Sequence, residues 1–283
     1  MADVAGTTVL VTGAAQGMGR LYAGRAVAEG AARLILWDVD AVGLEAARAA
    51  LQSAADRRRG AAGATVVEAQ AVDLADGAAL AAAAARVAER GVPDVLINNA
   101  GIVRGAYFWE HTRADIDATM AVNALAPMRT TLAFLPAMIA AGRPARIVTI
   151  ASAAGLVSNP RMSVYAASKA AALGWSDSLR LELEQAGHRH VKVTTVCPTY
   201  VSTGMFAGAR GMLMTPLMTP EHVVEVVWAS MLEGRPLLLM PWTVKLAQLA
   251  RGALPRPAWD FLAGRVFGIY SSMGGFTGRP GAR

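Results

Sequence analysis

Short runs of aliphatic residues alternate with longer, alanine-rich segments of helical periodicity along almost the whole chain. Several aliphatic runs are hydrophobic at nearly every position, which is typical of parallel strands buried on both faces. The pattern predicts strands at 8–12, 33–37, 65–71, 94–98, 146–150, 191–197 and 236–240. It predicts helices at about 18–29, 41–55, 76–90, 112–141, 163–186, 220–233 and 243–252.

This alternation predicts an α/β fold with a Rossmann-type, doubly wound parallel sheet. No linker rich in Pro, Gly or Ser divides the chain, so residues 1–283 are predicted to form a single domain. Two regions depart from the pattern. Residues 199–219 carry glycines and methionines without a clean period, and residues from about 243 to 275 predict a C-terminal helical extension.

Composition and charge narrow the class of protein. Hydrophobic residues make up 54% of the chain and charged residues 17%, which allows a sizeable core and excludes wholesale disorder. The net charge of +6 would suit a nucleic-acid partner. However, the basic residues are scattered, and the run Arg57-Arg58-Arg59 is predicted to be an exposed loop without aromatic residues for base stacking. No nucleic-acid partner is therefore expected.

Cysteine and histidine usage speaks against metal or disulfide chemistry. The single cysteine, Cys197, excludes an intramolecular disulfide framework and fits a cytoplasmic protein. No metal site is predicted, because no metal-ligand spacing links the histidines, which are His111, His188, His190 and His222. No run approaches the roughly 18 apolar residues of a membrane-spanning helix, and no leader is expected before the first strand.

A glycine-rich turn joins the first predicted strand to the first helix. Residues 12–19 read TGAAQGMG. Turn glycines let the backbone approach a pyrophosphate, and the helix N-terminus supplies free N–H groups, whereas the alternative is a turn without a ligand. The candidate cofactor-binding residues of this turn are Gly13, Gln16, Gly17, Met18 and Gly19.

Asp38 ends the second predicted strand. A carboxylate at this point can accept hydrogen bonds from the adenine-ribose hydroxyls of NAD and repels the extra phosphate of NADP. No Arg or Lys occupies positions 14–16 or 39–40 to offset that repulsion. NAD is therefore the predicted cofactor, with the alternative that Asp38 only caps the following helix.

Five ordered segments between about residues 7 and 203 resemble the short-chain dehydrogenase/reductase family. They are TGAAQGMG, Asp73-Leu74, Asn98-Asn99-Ala100-Gly101, Asn123, and Ser152 with Tyr165-Ala-Ala-Ser-Lys169. The resemblance implies further cofactor contacts at Asp73, Leu74, Asn99, Ala100, Gly101, Tyr165, Lys169, Pro198, Val201 and Thr203. Thr199 stands where the family commonly has glycine, so an altered turn is expected there.

The catalytic residues implied by the resemblance are Asn123, Ser152, Tyr165 and Lys169. A free phenol has a pKa of about 10, and an ammonium one helical turn away favours its ionised form. The resemblance implies that Tyr165 moves the substrate proton, Lys169 assists it and binds the nicotinamide ribose, and Ser152 holds the substrate oxygen. Asn123 would hold a water that links the lysine to solvent. The implied reaction interconverts a secondary alcohol and its ketone.

Residues 199–219 are predicted to form a flexible substrate lid. Its apolar side chains are Met205, Phe206, Met212, Leu213 and Met214. The candidate pocket residues are Leu156, Tyr200, Met205 and Phe206, which favours a lipophilic substrate and leaves room for a bulky one. Arg161 and Arg210 stay open as clamps for an anionic substrate.

The C-terminal third resembles the subgroup of retinol dehydrogenases and lipid-droplet 17β-hydroxysteroid dehydrogenases, through TGMFAGAR and TPEHVVEVVWASMLEGRPLLLMP. Residues 253–275 are predicted to shield the pocket or to pack at a subunit interface, with a membrane surface as the alternative. The family implies a homodimer or homotetramer formed through helices 112–141 and 163–186. Two functional alternatives stay open, an NADPH-type ketone reductase and a non-catalytic nucleotide-sensing scaffold.

Overall fold

The computed structural model describes residues 1–58, 64–213 and 215–278. The strands are Thr8–Thr12 (β1), Arg33–Asp38 (β2), Val66–Ala71 (β3), Val95–Asn98 (β4), Ala145–Ile150 (β5), Val191–Pro198 (β6) and Leu237–Met240 (β7). All of them are parallel and form one sheet in the order β3-β2-β1-β4-β5-β6-β7. The predicted strands and the doubly wound sheet are thereby confirmed.

The α-helices lie in the connections between strands and after the last one. They are Gly17–Ala28 (α1), Ala41–Arg57 (α2), Gly77–Ala88 (α3), Arg113–Met120 (α4), Ala126–Ala140 (α5), Ser163–Gln185 (α6), Pro220–Glu233 (α7), Thr243–Ala253 (α8) and Arg256–Phe261 (α9). Because consecutive parallel strands need a crossover, the chain places these helices on both faces of the sheet.

Alternate residues of the strands feed two separate cores. On one face Val9 and Val11 of β1 pack with helices α1, α2 and α7. On the other face Leu10 packs with helices α3, α5 and α6. Strands β4 and β5 are buried at every position, which explains why their sequences are hydrophobic without alternation.

Three predictions about helices and loops need correction. The long helix expected at 112–141 is interrupted at Ala121–Leu125 by a π-turn, which separates α4 from α5. The stretch expected to be helical over 253–275 consists of α9, a π-turn at Leu262–Val266 and a short 3₁₀ turn at Ile269–Ser271. Arg57 ends helix α2 and is not in a loop, Arg58 caps that helix, and Arg59 lies outside the described residues.

The segment after β6 and the C-terminal segment bind each other through their backbones. The N–H groups of Arg210 and Leu213 donate to the carbonyl oxygens of Ser272 and Phe267, at 2.8 and 3.1 Å. The N–H of Thr277 donates to the carbonyl oxygen of Ala207 at 2.9 Å. The predicted lid therefore lies under the C-terminal extension at the carboxyl ends of the strands.

Within the described part of the chain, the helices are too short or too polar to cross a lipid bilayer.

Candidate active site

The turn after β1 has a backbone that glycine makes possible. Gly13 and Gly17 have φ values of +67° and +56°, in the left-handed region that other residues rarely adopt. A Cβ on Gly13 would lie 2.9 Å from the Cα of Ala100. The side-chain amide of Asn99 donates to the carbonyl oxygens of Thr12 and Gly13 at 2.9 and 3.2 Å, which fixes the turn against the end of β4.

Helix α1 starts from this turn with its N-terminus toward a cleft. Within the described residues, the side chain of the N-cap residue Gln16 makes no capping hydrogen bond to the helix. The first N–H groups of α1 therefore stay available to an anion. Asp38, at the end of β2, lies next to the same turn, where its Oδ2 accepts a hydrogen bond from the N–H of Ala15 at 2.9 Å. Its Oδ1 accepts from the N–H of Asp40 at 3.1 Å.

The cleft that the turn and Asp38 line has a volume of about 230 Å³. It brings together most of the predicted cofactor-binding residues, namely Gly13, Gln16, Gly17, Met18, Asp38, Asp73, Leu74, Asn99, Ala100, Gly101 and Thr203. A glycine turn, an uncapped helix N-terminus and a carboxylate at the end of β2 are the features that a dinucleotide requires. The residues present therefore fit a nicotinamide dinucleotide.

Five predicted cofactor contacts lie outside the walls of this cleft, namely Gly19, Tyr165, Lys169, Pro198 and Val201. A Cβ on Gly19 would clash with the carbonyl of Gly13, so the turn can pack this closely on helix α1 only because residue 19 is glycine. Val201 is buried and forms a β-bridge with Met218. Pro198 is buried in β6, and its carbonyl oxygen faces the hydroxyl of Ser152 at 3.4 Å.

The structure brings the predicted catalytic residues together beside the cleft. Tyr165 and Lys169 are buried on helix α6, and Ser152 is buried directly after β5. Ser152 accepts a hydrogen bond from the N–H of Ala154 at 3.1 Å and is hydrogen-bonded to the phenol of Tyr165. Lys169 lies behind the cleft wall, since a Cβ on Gly101 would be 3.4 Å from its Nζ.

Burial dominates the protonation of both groups on α6. It raises the pKa of the Tyr165 phenol, while the hydrogen bond with Ser152 acts in the opposite direction. It lowers the pKa of the Lys169 ammonium to about 8. The expected lowering of the Tyr165 pKa by Lys169 is not found. The Nζ of Lys169 lies 5.8 Å from the centroid of the phenol ring and donates to the carbonyl oxygen of Ile150 at 2.7 Å.

Asn123 lies in the π-turn and is buried. Its Oδ1 accepts from the N–H of Ile102 at 2.9 Å, and its Nδ2 donates to the carbonyl oxygen of Ile102 at 2.8 Å and to the hydroxyl of Ser168 at 3.1 Å. The side chain thus ties the segment after β4 to helix α6. This arrangement assigns Asn123 a positioning role next to Lys169, beyond the water-holding role that the resemblance implies.

A second cavity, of about 240 Å³, opens on the other side of Ser152. Its described walls carry no charged side chain and include the aromatic rings of Trp242, Trp259 and Phe267. The remaining described lining residues are Ser152, Ala153, Ala154, Val157, Asn159, Met162, Thr199, Tyr200, Met212, Leu213, Thr215, Thr243, Val244, Leu246, Ala247, Ala250, Leu262 and Ile269. Such a cavity suits a neutral, lipophilic molecule.

Of the four predicted pocket residues, Tyr200 lines this cavity. Phe206 packs edge-on against the ring of Tyr165, with centroids 5.9 Å apart, and so covers the phenol. Met205 lines the dinucleotide cleft, and Leu156 packs beside Trp259 behind the cavity wall. Sequence reasoning placed all four in one pocket because it could not resolve which way Leu156 and the successive side chains of the lid point.

The remaining expectations for the pocket have mixed outcomes. Met212 and Leu213 line the cavity, and Met214 lies outside the described residues. Neither Arg161 nor Arg210 is among the described lining residues. The guanidinium of Arg161 lies 4.5 Å from the ring centroid of Tyr107, which removes it as an anion clamp.

Thr199 causes no backbone strain in place of the usual glycine. It does not adopt the left-handed conformation, and its N–H donates to the carbonyl oxygen of Met240 at 2.9 Å. Because the side chain lines the cavity, the threonine alters the pocket wall and leaves the turn regular.

Sequence reasoning missed several lining residues. In the dinucleotide cleft these are Val39, Asp40, Val72, Ile102 and Val122. The sequence could have indicated these residues, since most of them directly precede or follow a predicted site residue. The tryptophans of the second cavity had only a weak signal, because they come from the C-terminal extension and reach the site through tertiary packing.

Among the described residues, no group of three or more His, Cys, Asp or Glu side chains lies close enough to bind a metal ion.

Comparison with known proteins agrees with this geometry. The family described as short chain dehydrogenase matches residues 7–213. The chain is 34% identical over 278 residues to human (Homo sapiens) epidermal retinol dehydrogenase 2, covering 97% of this chain and 86% of that protein. It is 33% identical over 275 residues to estradiol 17-beta-dehydrogenase 11 of Rattus norvegicus, covering 97% of this chain and 88% of the relative.

A solved structure shares the fold. The short-chain dehydrogenase from Sphingobium yanoikuyae in complex with NADPH is 30% identical, with a TM-score of 0.74, and the match covers 92% of this chain and 96% of that one. The two curated relatives bear out the likeness of the C-terminal third to retinol and 17β-hydroxysteroid dehydrogenases. From its sheet order, its serine, tyrosine and lysine, and these matches, the chain belongs to the short-chain dehydrogenase family.

Proposed function

We propose that the protein is an NAD-dependent oxidoreductase that interconverts a lipophilic secondary alcohol and its ketone. The observation that carries this proposal is the position of Ser152, Tyr165 and Lys169 between two differently lined spaces. Ser152 lines the apolar cavity, and Lys169 lies behind Gly101 of the dinucleotide cleft. A substrate on one side can therefore meet a cofactor on the other across a single acid–base group.

The residues divide the chemistry among them. In alcohol oxidation the ionised phenol of Tyr165 accepts the hydroxyl proton, and in ketone reduction the neutral phenol returns it. The hydroxyl of Ser152 donates to the substrate oxygen and stabilises the charge that develops there. Lys169 supplies positive charge behind the phenol and faces the cofactor side. When bound, the nicotinamide accepts or delivers the hydride of the carbinol carbon.

The preference for NAD rests on two carboxylates of this chain. Asp38 and Asp40 both line the dinucleotide cleft, and no Lys or Arg is among its described lining residues. A 2′-phosphate at the adenine ribose would meet negative charge without a compensating cation. Since the similar Sphingobium yanoikuyae protein was solved with NADPH, the choice depends on these carboxylates rather than on likeness.

The proposed substrate is a neutral, ring-bearing alcohol or ketone of lipid-like solubility. The lining of the second cavity supports this class, because its described side chains are uncharged and four of them carry aromatic rings. The names of the two relatives, a retinol dehydrogenase and an estradiol dehydrogenase, point to the same solubility class.

We further propose a cytoplasmic homo-oligomer that assembles through helices α5 and α6. These helices pack side by side and leave Leu132 and Leu181 exposed, by 71% and 52%. Exposed leucines on neighbouring helices support a protein interface. Analytical ultracentrifugation tests this, and a purely monomeric boundary at micromolar concentration would contradict it.

The proposed function is tested by Tyr165→Phe. We expect the variant to lose turnover by about 10²–10⁴-fold, because the proton acceptor is gone, while NADH binding followed by fluorescence stays unchanged. Tyr107→Phe, at a partly exposed tyrosine that is not among the described lining residues of the cleft or the cavity, is the matched control and should keep full turnover. Turnover that survives in Tyr165→Phe would exclude the assigned chemistry and favour a scaffold or a different reaction.

A further inference from the structure

Helix α8 carries its apolar stripe on the side that faces solvent. Trp242, Leu246 and Leu249 lie at helical spacing and are 59%, 53% and 69% exposed. The opposite side packs on the protein, where Val244 is buried and Ala247 contacts the cluster around Trp259. A helix on the surface of a soluble domain normally shows the reverse pattern, with polar residues outward.

The exposed apolar surface continues beyond α8. Helix α9 packs against α8, and Leu254, Phe261 and Val266 are 36%, 62% and 42% exposed. We refer to these six side chains, Trp242, Leu246, Leu249, Leu254, Phe261 and Val266, as the apolar lip. Large exposed apolar groups that follow one another in this way mark a surface that binds something.

The charged residues that lie between those of the apolar lip in the sequence are almost all basic. Between residues 242 and 266 the basic residues are Lys245, Arg251, Arg256 and Arg265, and all four are exposed. The single acidic residue, Asp260, accepts a hydrogen bond from the phenol of Tyr270 at 2.6 Å. Leucine and aromatic side chains mixed with lysine and arginine are typical of segments that lie in the interface of an anionic membrane.

The apolar lip also borders the substrate cavity. Trp242 and Leu246 are exposed and at the same time line the cavity that leads to Ser152. The mouth of the cavity therefore opens within the apolar lip. A lipophilic molecule could pass from a lipid phase to Ser152 without crossing bulk water.

We propose that the apolar lip docks on the surface of an anionic phospholipid membrane and that the substrate enters the cavity from that lipid phase. The docking step rests on the exposed side chains and their charges alone. The entry of substrate rests in addition on the proposed function. Peripheral docking needs no membrane-spanning helix.

A second copy of the chain fits this surface less well. In a two-fold interface the same patch faces itself, so the four cations of one apolar lip would meet those of the other. Such an interface would also cover Trp242 and Leu246 and close the cavity mouth. An anionic lipid surface offers opposite charge and leaves the cavity open to its own apolar phase.

The test is vesicle flotation of the full chain without cofactor or substrate. Vesicles of phosphatidylcholine alone are compared with vesicles of phosphatidylcholine and phosphatidylserine in equal parts, at low and at high salt. We expect the protein to float with the anionic vesicles and to be released by salt, because exposed charges are screened. Lys245→Gln with Arg256→Gln should weaken binding by roughly tenfold or more, at about 1 kcal/mol for each cation near the surface.

The apolar contribution is tested with Leu249→Ser and Phe261→Ser, neither of which lines the cavity. Together they should reduce vesicle binding by roughly 100-fold, because two large side chains no longer enter the lipid. Val42→Ser with Val66→Ser is the matched control, at exposed apolar positions of α2 and β3. This control should bind vesicles like the wild type.

Three results would overturn the proposal. The first is no flotation with anionic vesicles. The second is flotation with neutral vesicles at high salt that equals flotation with anionic vesicles. The third is a loss of binding in the Val42→Ser, Val66→Ser control as large as that in the Leu249→Ser, Phe261→Ser variant. A change from dimer to monomer in Leu249→Ser with Phe261→Ser, without vesicle binding by the wild type, would assign the surface to a second copy. Turnover of a water-soluble secondary alcohol, measured without vesicles, tests the proposed function separately, so the two can fail independently.

Discussion

At the scale of single residues, the candidate site depends on how burial changes proton affinity. Tyr165 and Lys169 are both buried, and burial shifts both pKa values toward the neutral forms, upward for the phenol and downward for the ammonium. Ser152 acts against the shift at Tyr165 through its hydrogen bond. In the protein without bound cofactor the raised pKa therefore keeps the phenol protonated. This protonation favours the proposed role of Tyr165 as the acid in ketone reduction.

This protonation predicts a different pH dependence for each direction. Alcohol oxidation needs the ionised phenol, so its kcat/KM should rise by up to about tenfold per pH unit below about pH 8, where the phenol is mostly neutral. Above that pH the rise should become shallower, because Lys169, whose pKa is lowered to about 8, loses its charge. Ketone reduction needs the neutral phenol and should stay nearly constant between about pH 6 and about pH 8.

Initial rates in both directions, with cofactor binding followed at each pH as the control, measure these profiles. An oxidation rate that is already flat below about pH 7 would mean that the pKa of Tyr165 is not raised.

At the scale of elements, close packing of backbones sets the distance between Ser152 and helix α6. The short turn Ala153–Gly155 follows Ser152 and lies directly on that helix. A Cβ on Gly155 would be 2.9 Å from the backbone nitrogen of Ala170 and 2.9 Å from the carbonyl carbon of Lys169. Glycine at this position lets the serine and the lysine approach each other.

Gly155→Ala should therefore separate the turn from α6. We expect a loss of about 1–3 kcal/mol in the free energy of unfolding and a lower kcat, since backbone atoms cannot yield as a flexible side chain would. Gly174→Ala on the same helix is the control, because its Cβ would meet nothing within 4 Å. That variant should gain about 0.5–1 kcal/mol from its better helix propensity. Denaturant unfolding and steady-state rates compare the two variants with the wild type. A Gly155→Ala variant that is as stable as the wild type would contradict the packing argument.

The sequence predicted the elements well and the irregular turns poorly. Strands such as Ala145–Ile150 were predictable because burial on both faces leaves a continuous hydrophobic run. The π-turn at Ala121–Leu125 was not, since helical periodicity continues through it and Asn123 finds its partners in the segment after β4 and on α6, far away in the sequence. A local pattern records propensity and burial, whereas such a turn depends on contacts that only the folded chain makes.

At the scale of the whole molecule, two spaces of different character meet at one acid–base group. The dinucleotide cleft could be predicted because its residues follow strand ends in sequence order. The second cavity could not, because the turn after β5, the lid, α8 and the region around Trp259 each supply part of its wall. The C-terminal extension thus both builds the cavity and carries the apolar lip, so the proposed substrate site and the proposed docking surface lie on one segment.

The central claim is tested most directly by initial rates on a panel of bulky secondary alcohols and steroids, with NAD and NADP compared in parallel. We expect turnover of the bulky alcohols and a preference for NAD on the order of 100-fold, because Asp38 and Asp40 repel the 2′-phosphate. Asp38→Ser should narrow this preference, and Asp117→Ser, at an exposed carboxylate, should not. Equal rates with NADP, or activity restricted to small anionic alcohols, would contradict the account.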